Sequence, residues 1–146
     1  MRRTEALAPL SRDHHQALAQ ALKLKRATPA EAADIARGLL TFWDHHGARH
    51  FQVEEEVLLP AYARYADPEQ DAVVRVLVDH LWIRSRIDRL RGADEPSPRH
   101  LRELGERLDA HVRHEERVLF PLIEDAMPEP EIDELAASVE RAERAG

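Results

Sequence analysis

Two stretches of the chain repeat a pattern of histidine and glutamate that is suited to binding metal ions. Residues 50–60 and residues 111–121 are identical at six of eleven positions, including His50 and Glu54 in the first copy and His111 and Glu115 in the second. A spacing of four residues places each histidine and its glutamate on one face of a helix, about one turn apart. Each pair could therefore present an imidazole nitrogen and a carboxylate oxygen to the same ion.

An aspartate–histidine pair precedes each copy, at Asp13-His14 and at Asp79-His80. The chain thus uses one unit twice: a helix with Asp-His, then a helix with His-x-x-x-Glu. We expect His14 and His80 to supply further ligands, and the two aspartates either to orient ligand histidines or to be solvated. His15 is the alternative ligand beside His14, and the repeated Asp-His pair favours His14.

The elements that must position these residues are predicted from helix-start signals and short connections. We predict helices from Ser11 to about Arg26, from Thr28 to about Leu59, from Asp67 to about Arg91 and from Ser97 to about Met127, then a short amphipathic segment. The start at Thr28-Pro29-Ala30-Glu31 has the form of a capping box, and short connections favour antiparallel neighbours. The expected fold is all-α, an up-down-up-down four-helix bundle (residues 11–127) with an extra C-terminal helix (residues 129–144), in one domain of residues 1–146. Pro60 and Pro121 should each kink or end a helix.

Apolar stripes on the second and fourth predicted helices pass through His50 and His111. The stripes consist of Ile35, Leu39, Phe42, Trp43, Val53 and Val57 on the second helix, and of Leu101, Leu104, Leu108, Val112, Leu119 and Leu122 on the fourth. Burying a carboxylate costs several kcal/mol unless it is paired or bound to a metal. Two buried histidine–glutamate pairs need a common partner, and two cations would supply it.

Four helices that each offer an imidazole, two of them also a carboxylate, form a pattern typical of a di-iron site. The successive glutamates Glu55 and Glu116 lie about 100° around the helix from Glu54 and Glu115, and we expect them to contribute much less. The alternative is a purely structural role, with the histidines as core residues and no metal. Three histidines, His45, His100 and His114, lie off the stripes, and we expect them to be solvated.

The composition excludes several classes of function. The chain has 146 residues, a net charge of -7 and no cysteine, which argues against nucleic acid and anionic membrane surfaces as partners and excludes disulfides and thiolate ligands. No apolar run approaches the ~18 residues that span a bilayer, and no apolar segment follows the basic N-terminus as in a signal peptide. We therefore expect a cytoplasmic protein.

Taken together, these residues resemble the hemerythrin-like family, also called the HHE cation-binding domain. The resemblance covers about residues 8–125 and rests on Asp13-His14, His50-Phe51, Glu54-Glu55, Pro60, Asp79-His80, His111, Glu115-Glu116 and Leu119-Phe120-Pro121. It implies an up-down four-helix bundle around two iron ions with an oxo or hydroxo bridge. It further implies that His14 and His50 bind one iron, that His80 and His111 bind the other, and that Glu54 and Glu115 bridge them.

The sequence departs from the oxygen-carrying members of that family at two points. Arg84 stands where they have a fifth histidine, and Glu115 provides the second carboxylate where they have an aspartate at a longer spacing. Arg84 could pair with a bridging glutamate or a bound anion, or could extend to the surface. His46, one turn before His50, is a candidate additional iron ligand, and the alternative is a supporting or core role.

The resemblance implies a protein that binds and reacts with a small oxidant such as oxygen, peroxide or nitric oxide. The alternative is a non-catalytic module: an oxygen sensor, an iron sensor or an iron donor. The sequence does not decide whether the chain is an enzyme, and it identifies no protein partner.

Overall fold

The computed structural model describes the backbone of residues 3–145 and the side chains of residues 5–145. Its helices are α1 (Arg3–Ala6), α2 (Ala8–Lys25), α3 (residues 32–62), α4 (Asp71–Arg91), α5 (residues 98–126) and α6 (Glu129–Arg144). No β-strand occurs within this part of the chain, so the all-α class is confirmed. Residues 1, 2 and 146 of the predicted domain lie outside the described residues.

The helices pack as a bundle in which α5 contacts both α2 and α4, while α3 contacts α2, α4 and α5. The C-terminal helix α6 packs against α1 and α3, and the four apolar residues predicted to line it are buried: Ile132, Leu135, Ala136 and Val139. Among the described helices, none has the length and apolar character that crossing a membrane requires.

The predicted helix start at Ser97 is confirmed, and the one at Ser11 is wrong, because the Ser11 side chain contacts another helix. The Ser97 side chain accepts a hydrogen bond from the His100 backbone N–H (3.3 Å) and caps α5 as expected. Helix α2, in contrast, begins at Ala8 rather than at Ser11. The Ser11 hydroxyl donates instead to the carboxylate of Glu116 on α5, with a shortest distance of 2.8 Å. The serine thus links two helices rather than capping one.

The two other predicted starts are displaced by local turns. At the predicted capping box, Thr28 donates its hydroxyl to the Glu31 carboxylate (3.1 Å), and α3 begins only at Ala32. Before α4, the Asp67 carboxylate accepts the Glu69 backbone N–H (2.8 Å), which is an Asx-type turn. That turn occupies the expected first residues, so α4 begins at Asp71.

Three π-helical turns interrupt the two helices that carry the His-x-x-x-Glu motifs. They cover Trp43–Gly47 and Glu54–Leu58 in α3, and Glu115–Leu119 in α5. The second and third turns lie directly before Pro60 and Pro121, and the helical chain continues beyond both prolines, to Tyr62 and to Ala126. A proline cannot donate to the carbonyl four residues earlier and collides with it in a regular helix. Wider turns at these points accommodate the rings, so neither proline ends its helix.

Each π turn inserts one residue and shifts the buried face that follows it. On a regular helix Val57 and Leu122 would continue the apolar stripes, as we predicted. In the structure Val57 is only half-buried and Leu122 is 37% exposed, whereas their neighbours Leu58 and Ile123 are 0% exposed. The predictions for Val57 and Leu122 are therefore wrong by one residue, and the inserted turn is the reason.

Two apolar clusters fill the bundle, and His14 on α2 and His80 on α4 lie between them along their helices. The first cluster includes Leu10, Val53, Leu58, Val76, Leu119 and Ile123, and the second includes Ala17, Leu39, Phe51, Ile83, Leu108 and Val112. On α2, for example, His14 separates Leu10 of the first cluster from Ala17 of the second. The core is thus divided by a layer of polar side chains.

Close packing of α2 against α5 depends on Gly105. A Cβ atom at this position would lie 2.7 Å from Leu24 Cβ and 2.8 Å from the Lys25 backbone nitrogen. We expect Gly105→Ala to separate the two helices and to lower the free energy of unfolding by about 1–3 kcal/mol, as measured by urea denaturation. Gly38→Ala is the matched control, because its Cβ would meet only Gln20 Oε1 at 3.9 Å. Equal stability of the two variants would contradict the packing described.

Candidate metal centre

Six buried side chains from four helices converge in the layer between the apolar clusters. Each helix of the bundle contributes one histidine, and α3 and α5 each add a glutamate: His14, His50, Glu54, His80, His111 and Glu115. Both glutamates are 0% exposed, and the four histidines are at most 5% exposed. The residues predicted as ligands from the two motif copies and the two Asp-His pairs are thus brought together.

The Nε2 atoms of all four histidines point at the two carboxylates. Glu54 lies 3.2 Å from His50 Nε2 and 3.1 Å from His80 Nε2. Glu115 lies 2.8 Å from His14 Nε2 and 3.5 Å from His111 Nε2. Each glutamate therefore faces one histidine of its own helix and one histidine of another helix.

The six side chains form two four-residue groups that share both glutamates. One group is His14, His50, Glu54 and Glu115, and the other is Glu54, His80, His111 and Glu115. Within each group the potential ligand atoms lie within 4.8 Å of one another. The layer thus has two positions, each with two histidines of its own, and both positions share the two carboxylates. This arrangement is suited to a pair of cations.

The unpaired atoms of the layer test whether cations fit there. The Nε2 atoms of His50, His80 and His111, both oxygens of Glu54 and Glu115 Oε2 are buried without a hydrogen-bond partner. Buried polar atoms without partners are costly and rare. Six such atoms converge on one small volume, and all are nitrogen or carboxylate oxygen donors that iron accepts. The residues present therefore fit a two-cation centre.

A carboxylate also holds the opposite ring nitrogen of every one of these histidines. His50 Nδ1 lies 2.9 Å from Asp13, and His111 Nδ1 lies 3.0 Å from Asp79, so both aspartates orient a histidine rather than being solvated. A histidine that donates its Nδ1–H to a carboxylate directs its Nε2 lone pair toward the metal side and becomes a stronger donor.

The other two histidines are held by residues that we expected to matter little. His80 Nδ1 lies 2.6 Å from Glu55, and His14 Nδ1 lies 2.9 Å from Glu116. Glu54 and Glu55 therefore reach both nitrogens of one histidine on another helix, and Glu115 and Glu116 do the same to His14. The regular helical angle led to the wrong expectation for Glu55 and Glu116. The sequence signal that could have indicated their role is that both copies have two successive glutamates.

Two further predicted residues differ in their outcome. His46 is exposed and belongs to neither four-residue group. The π turn Trp43–Gly47 contains His46 and disrupts the one-turn spacing to His50 on which its assignment as a ligand depended. Arg84 is ordered by an ion pair, and its Nη1 donates to Glu55 Oε2 at 2.7 Å. It thus pairs with the neighbour of the expected bridging glutamate.

The remaining histidines lie outside the layer. His15 is exposed, which leaves His14 as the inward member of that pair, and His45 and His100 are exposed as expected. The prediction that His114 is solvated is wrong. His114 is 8% exposed, and its Nε2 donates to the Ala72 carbonyl oxygen at 3.0 Å.

An apolar cavity lies against one side of the histidine layer. It is lined by His14, His50 and His111 together with Leu39, Trp43, Ile83, Leu104 and Leu108, and about 20 Å³ of it is open to the centre of a water-sized sphere. This space holds a molecule of roughly the size of water. A molecule of this size would lie beside His14, His50 and His111.

Without metal, the buried carboxylates raise the affinity of neighbouring histidines for protons. Burial, the largest contribution, lowers the pKa of His14, but hydrogen bonds with Glu115 and Glu116 outweigh it and raise the pKa to about 9. For His80, the carboxylates Glu54 and Glu55 likewise outweigh burial and raise the pKa to about 9. The pKa of Glu115 is well below its usual value, because the charge of His111 and hydrogen bonds from neighbouring histidines exceed the effect of burial.

These pKa shifts predict how the stability of the metal-free protein depends on pH. A histidine with a raised pKa stabilises the fold fully below its unfolded value of about 6.5, and this contribution is lost as the pH rises. The free energy of unfolding of chelator-treated protein should therefore decrease between pH 6.5 and about 9, the pKa of His14 and His80. Metal-loaded protein should not show this decrease, because metal binding displaces the protons. Urea denaturation across this range tests both expectations, and a flat profile for the metal-free protein would contradict them.

Comparison with known proteins agrees with the geometry. The model of the family described as "Hemerythrin HHE cation binding domain" matches residues 7–123, which contain all six layer residues and the four carboxylates behind the histidines. Neither the curated proteins nor the solved structures gave a match. The family match covers most of the chain, and the chain therefore belongs to the hemerythrin HHE cation-binding domain family.

Proposed function

We propose that this chain is a cytosolic, non-haem di-iron protein that binds and reacts with a small oxidant such as oxygen, peroxide or nitric oxide. The single observation that carries this proposal is the convergence of four imidazole Nε2 atoms on two fully buried, shared glutamates. We assign His14 and His50 to one iron and His80 and His111 to the other, with Glu54 and Glu115 as bridges and an oxo or hydroxo group completing the centre. His46 is left out because it is exposed.

The donor set favours iron over zinc. Zinc prefers tetrahedral sites, in which its own ligands complete the coordination. Here two positions share carboxylates, and each has only two histidines of its own. Iron accepts this mixed nitrogen and oxygen set and, with a coordination number above four, would leave positions free for a small molecule. When bound, iron would supply redox chemistry and an open coordination position for a small molecule.

The residues of the chain would serve three purposes in this reaction. Glu54 and Glu115 neutralise cation charge in a site without water access, where an uncompensated charge is costly. The carboxylates behind the histidines fix ring orientation and tautomer. The apolar side chains around the cavity, including Leu39 and Leu104, would disfavour water and leave room only for a small molecule. The up-down-up-down order of α2–α5 that we propose agrees with the short connections between these helices.

Metal content and mixing experiments test the proposal. The isolated protein should contain about two iron atoms per chain, and the reduced protein should change its visible spectrum on mixing with oxygen, peroxide or nitric oxide. Glu54→Ala should lose iron, whereas Glu56→Ala, two residues away and exposed, should keep it.

Three results would count against the proposal. One zinc ion per chain, or no metal after growth in iron-rich medium, would exclude a di-iron protein. Two irons without any reaction toward the three oxidants would favour an iron sensor or donor. Equal iron loss from the Glu54 and Glu56 variants would show that the wrong carboxylate is assigned as a bridge.

A further inference from the structure

The two halves of the polar layer differ in the charges that lie behind the ligand histidines. We call His14 and His50, with their carboxylates Glu116 and Asp13, the first half. The second half consists of His80 and His111 with Glu55 and Asp79. The repeated sequence unit relates the halves, so each residue of one half has a counterpart in the other.

In the second half an arginine neutralises each carboxylate. Arg84 Nη1 donates to Glu55 at 2.7 Å, and Arg107 Nε donates to Asp79 at 2.7 Å. Aromatic rings hold both guanidinium groups in place: Arg107 lies 4.8 Å from the Trp82 ring centre, and Arg84 lies 5.6 Å from that of Phe51. The two arginines are thus fixed parts of the site.

In the first half no such neutralisation occurs among the described side chains. The ion pairs formed by lysine and arginine within residues 5–145 do not include Asp13 or Glu116. Glu116 accepts the uncharged Ser11 hydroxyl, and Asp13 has a further acid, Glu143 of α6, within 4.8 Å. Arg49 donates to the backbone carbonyl of that glutamate at 3.2 Å. Burial and the neighbouring Asp13 raise the pKa of Glu143 to about 7, so it carries only part of a negative charge at neutral pH. With Arg49 included, the described side chains of the first half therefore keep between one and two negative charges more than those of the second.

Alignment of the two repeat units shows that the two arginines occur in only one of them. Arg107 stands four residues before His111, and the matching position before His50 is occupied by His46. Arg84 stands four residues after His80, and the matching position after His14 is Leu18. Both arginines thus belong to one half only.

We propose that the two cation positions are inequivalent, and that the His14–His50 position binds its cation more tightly and fills first. Arg84 and Arg107 cause the difference, because they cancel the charge of Glu55 and Asp79 and compete with the histidine Nδ1–H for these carboxylates. A less basic carboxylate makes its histidine a weaker ligand. The inference rests on the proposed function, since it requires two bound cations. The His80–His111 position is then the one that releases its cation more readily.

The size of the effect follows from Coulomb's law. A unit charge about 8 Å from a divalent ion changes its affinity roughly five- to thirtyfold when the effective dielectric constant is about 40 to 80. If the arginines instead only oriented the carboxylates, removing them would weaken metal binding. Loss of a group that orients a ligand typically weakens metal binding about 10- to 100-fold. The sign of the change therefore separates the two roles.

Titration of the full-length, metal-free protein with Co²⁺ tests the proposal, with visible absorption as the readout. The wild-type protein should bind two ions in two steps. Arg107→Gln and Arg84→Gln keep a hydrogen-bond donor but remove the charge. Each should tighten the second step roughly five- to thirtyfold and the first step by less, because the first cation would lie farther from the arginine. Arg107→Lys should resemble wild type. Arg91→Gln is the matched control. Arg91 is on α4, as Arg84 is, but it pairs with the exposed Asp44.

A charge exchange between the halves gives the sharper result. In a protein with His46→Arg and Arg107→His together, the difference in affinity between the two positions should be lost or reversed, as read from the imidazole N–H proton resonances that the paramagnetic ion shifts first. Equal affinities in wild type, weaker binding in the glutamine variants or an undiminished difference in affinity after the exchange would overturn the inference while leaving two bound ions. Absence of any Co²⁺ binding to wild type would overturn the proposed function as well.

Discussion

Glu54 and Glu115 have no exposed surface, and each carboxylate lies between imidazole nitrogens from two helices. Two buried carboxylates in a helical core are tolerated only if positive charge reaches them, from protons on the histidines or from cations. Every other feature of the centre serves this requirement. The four histidines surround the glutamates, four further carboxylates hold the histidines, and the apolar clusters above and below isolate the layer from water.

The π turns place the buried glutamates and their successors against the histidines. Glu54 and Glu115 are each the first residue of a π turn, and each turn precedes a proline. A regular helix would direct successive glutamates about 100° apart, yet Glu54 and Glu55 contact the two nitrogens of the same histidine. The irregular turns thus occur where two neighbouring side chains must act on one partner, which agrees with the frequent occurrence of π turns at functional sites.

The sequence predicted those parts of the molecule that depend on regular helical geometry and on the repeat. His14, His50, His80 and His111 and the two inward glutamates could be found because the same spacing occurs twice on apolar stripes. The regular spacing did not predict the roles of Glu55 and Glu116 or the exposure of His46. It also did not predict that Ile123 is buried at the position expected for Leu122. Each of these residues lies in or after a π turn, where a prediction at a constant angle per residue can place a side chain on the wrong face.

Burial of His114 was missed for a different reason. It depends on a backbone carbonyl of another helix, Ala72 on α4, and such a partner leaves no pattern in the sequence. The sequence also did not predict that Arg84 and Arg107 both form ion pairs behind the histidines. Only Arg84 was considered as a candidate for an ion pair. The asymmetry of these ion pairs is visible only when the halves of the folded layer are compared, since it lies in which carboxylates pair with an arginine among the described side chains.

The central claim is that two cations occupy the layer and share Glu54 and Glu115. Crystals of the iron-loaded protein, measured at the iron absorption edge, test it most directly. We predict two anomalous peaks per chain, one within about 2.0–2.3 Å of Nε2 of His14 and His50 and the other within the same distance of Nε2 of His80 and His111, by analogy with known imidazole–metal bonds. Both glutamates should contact both peaks. A single peak, or a peak bound through Nδ1 or through His46, would contradict the account.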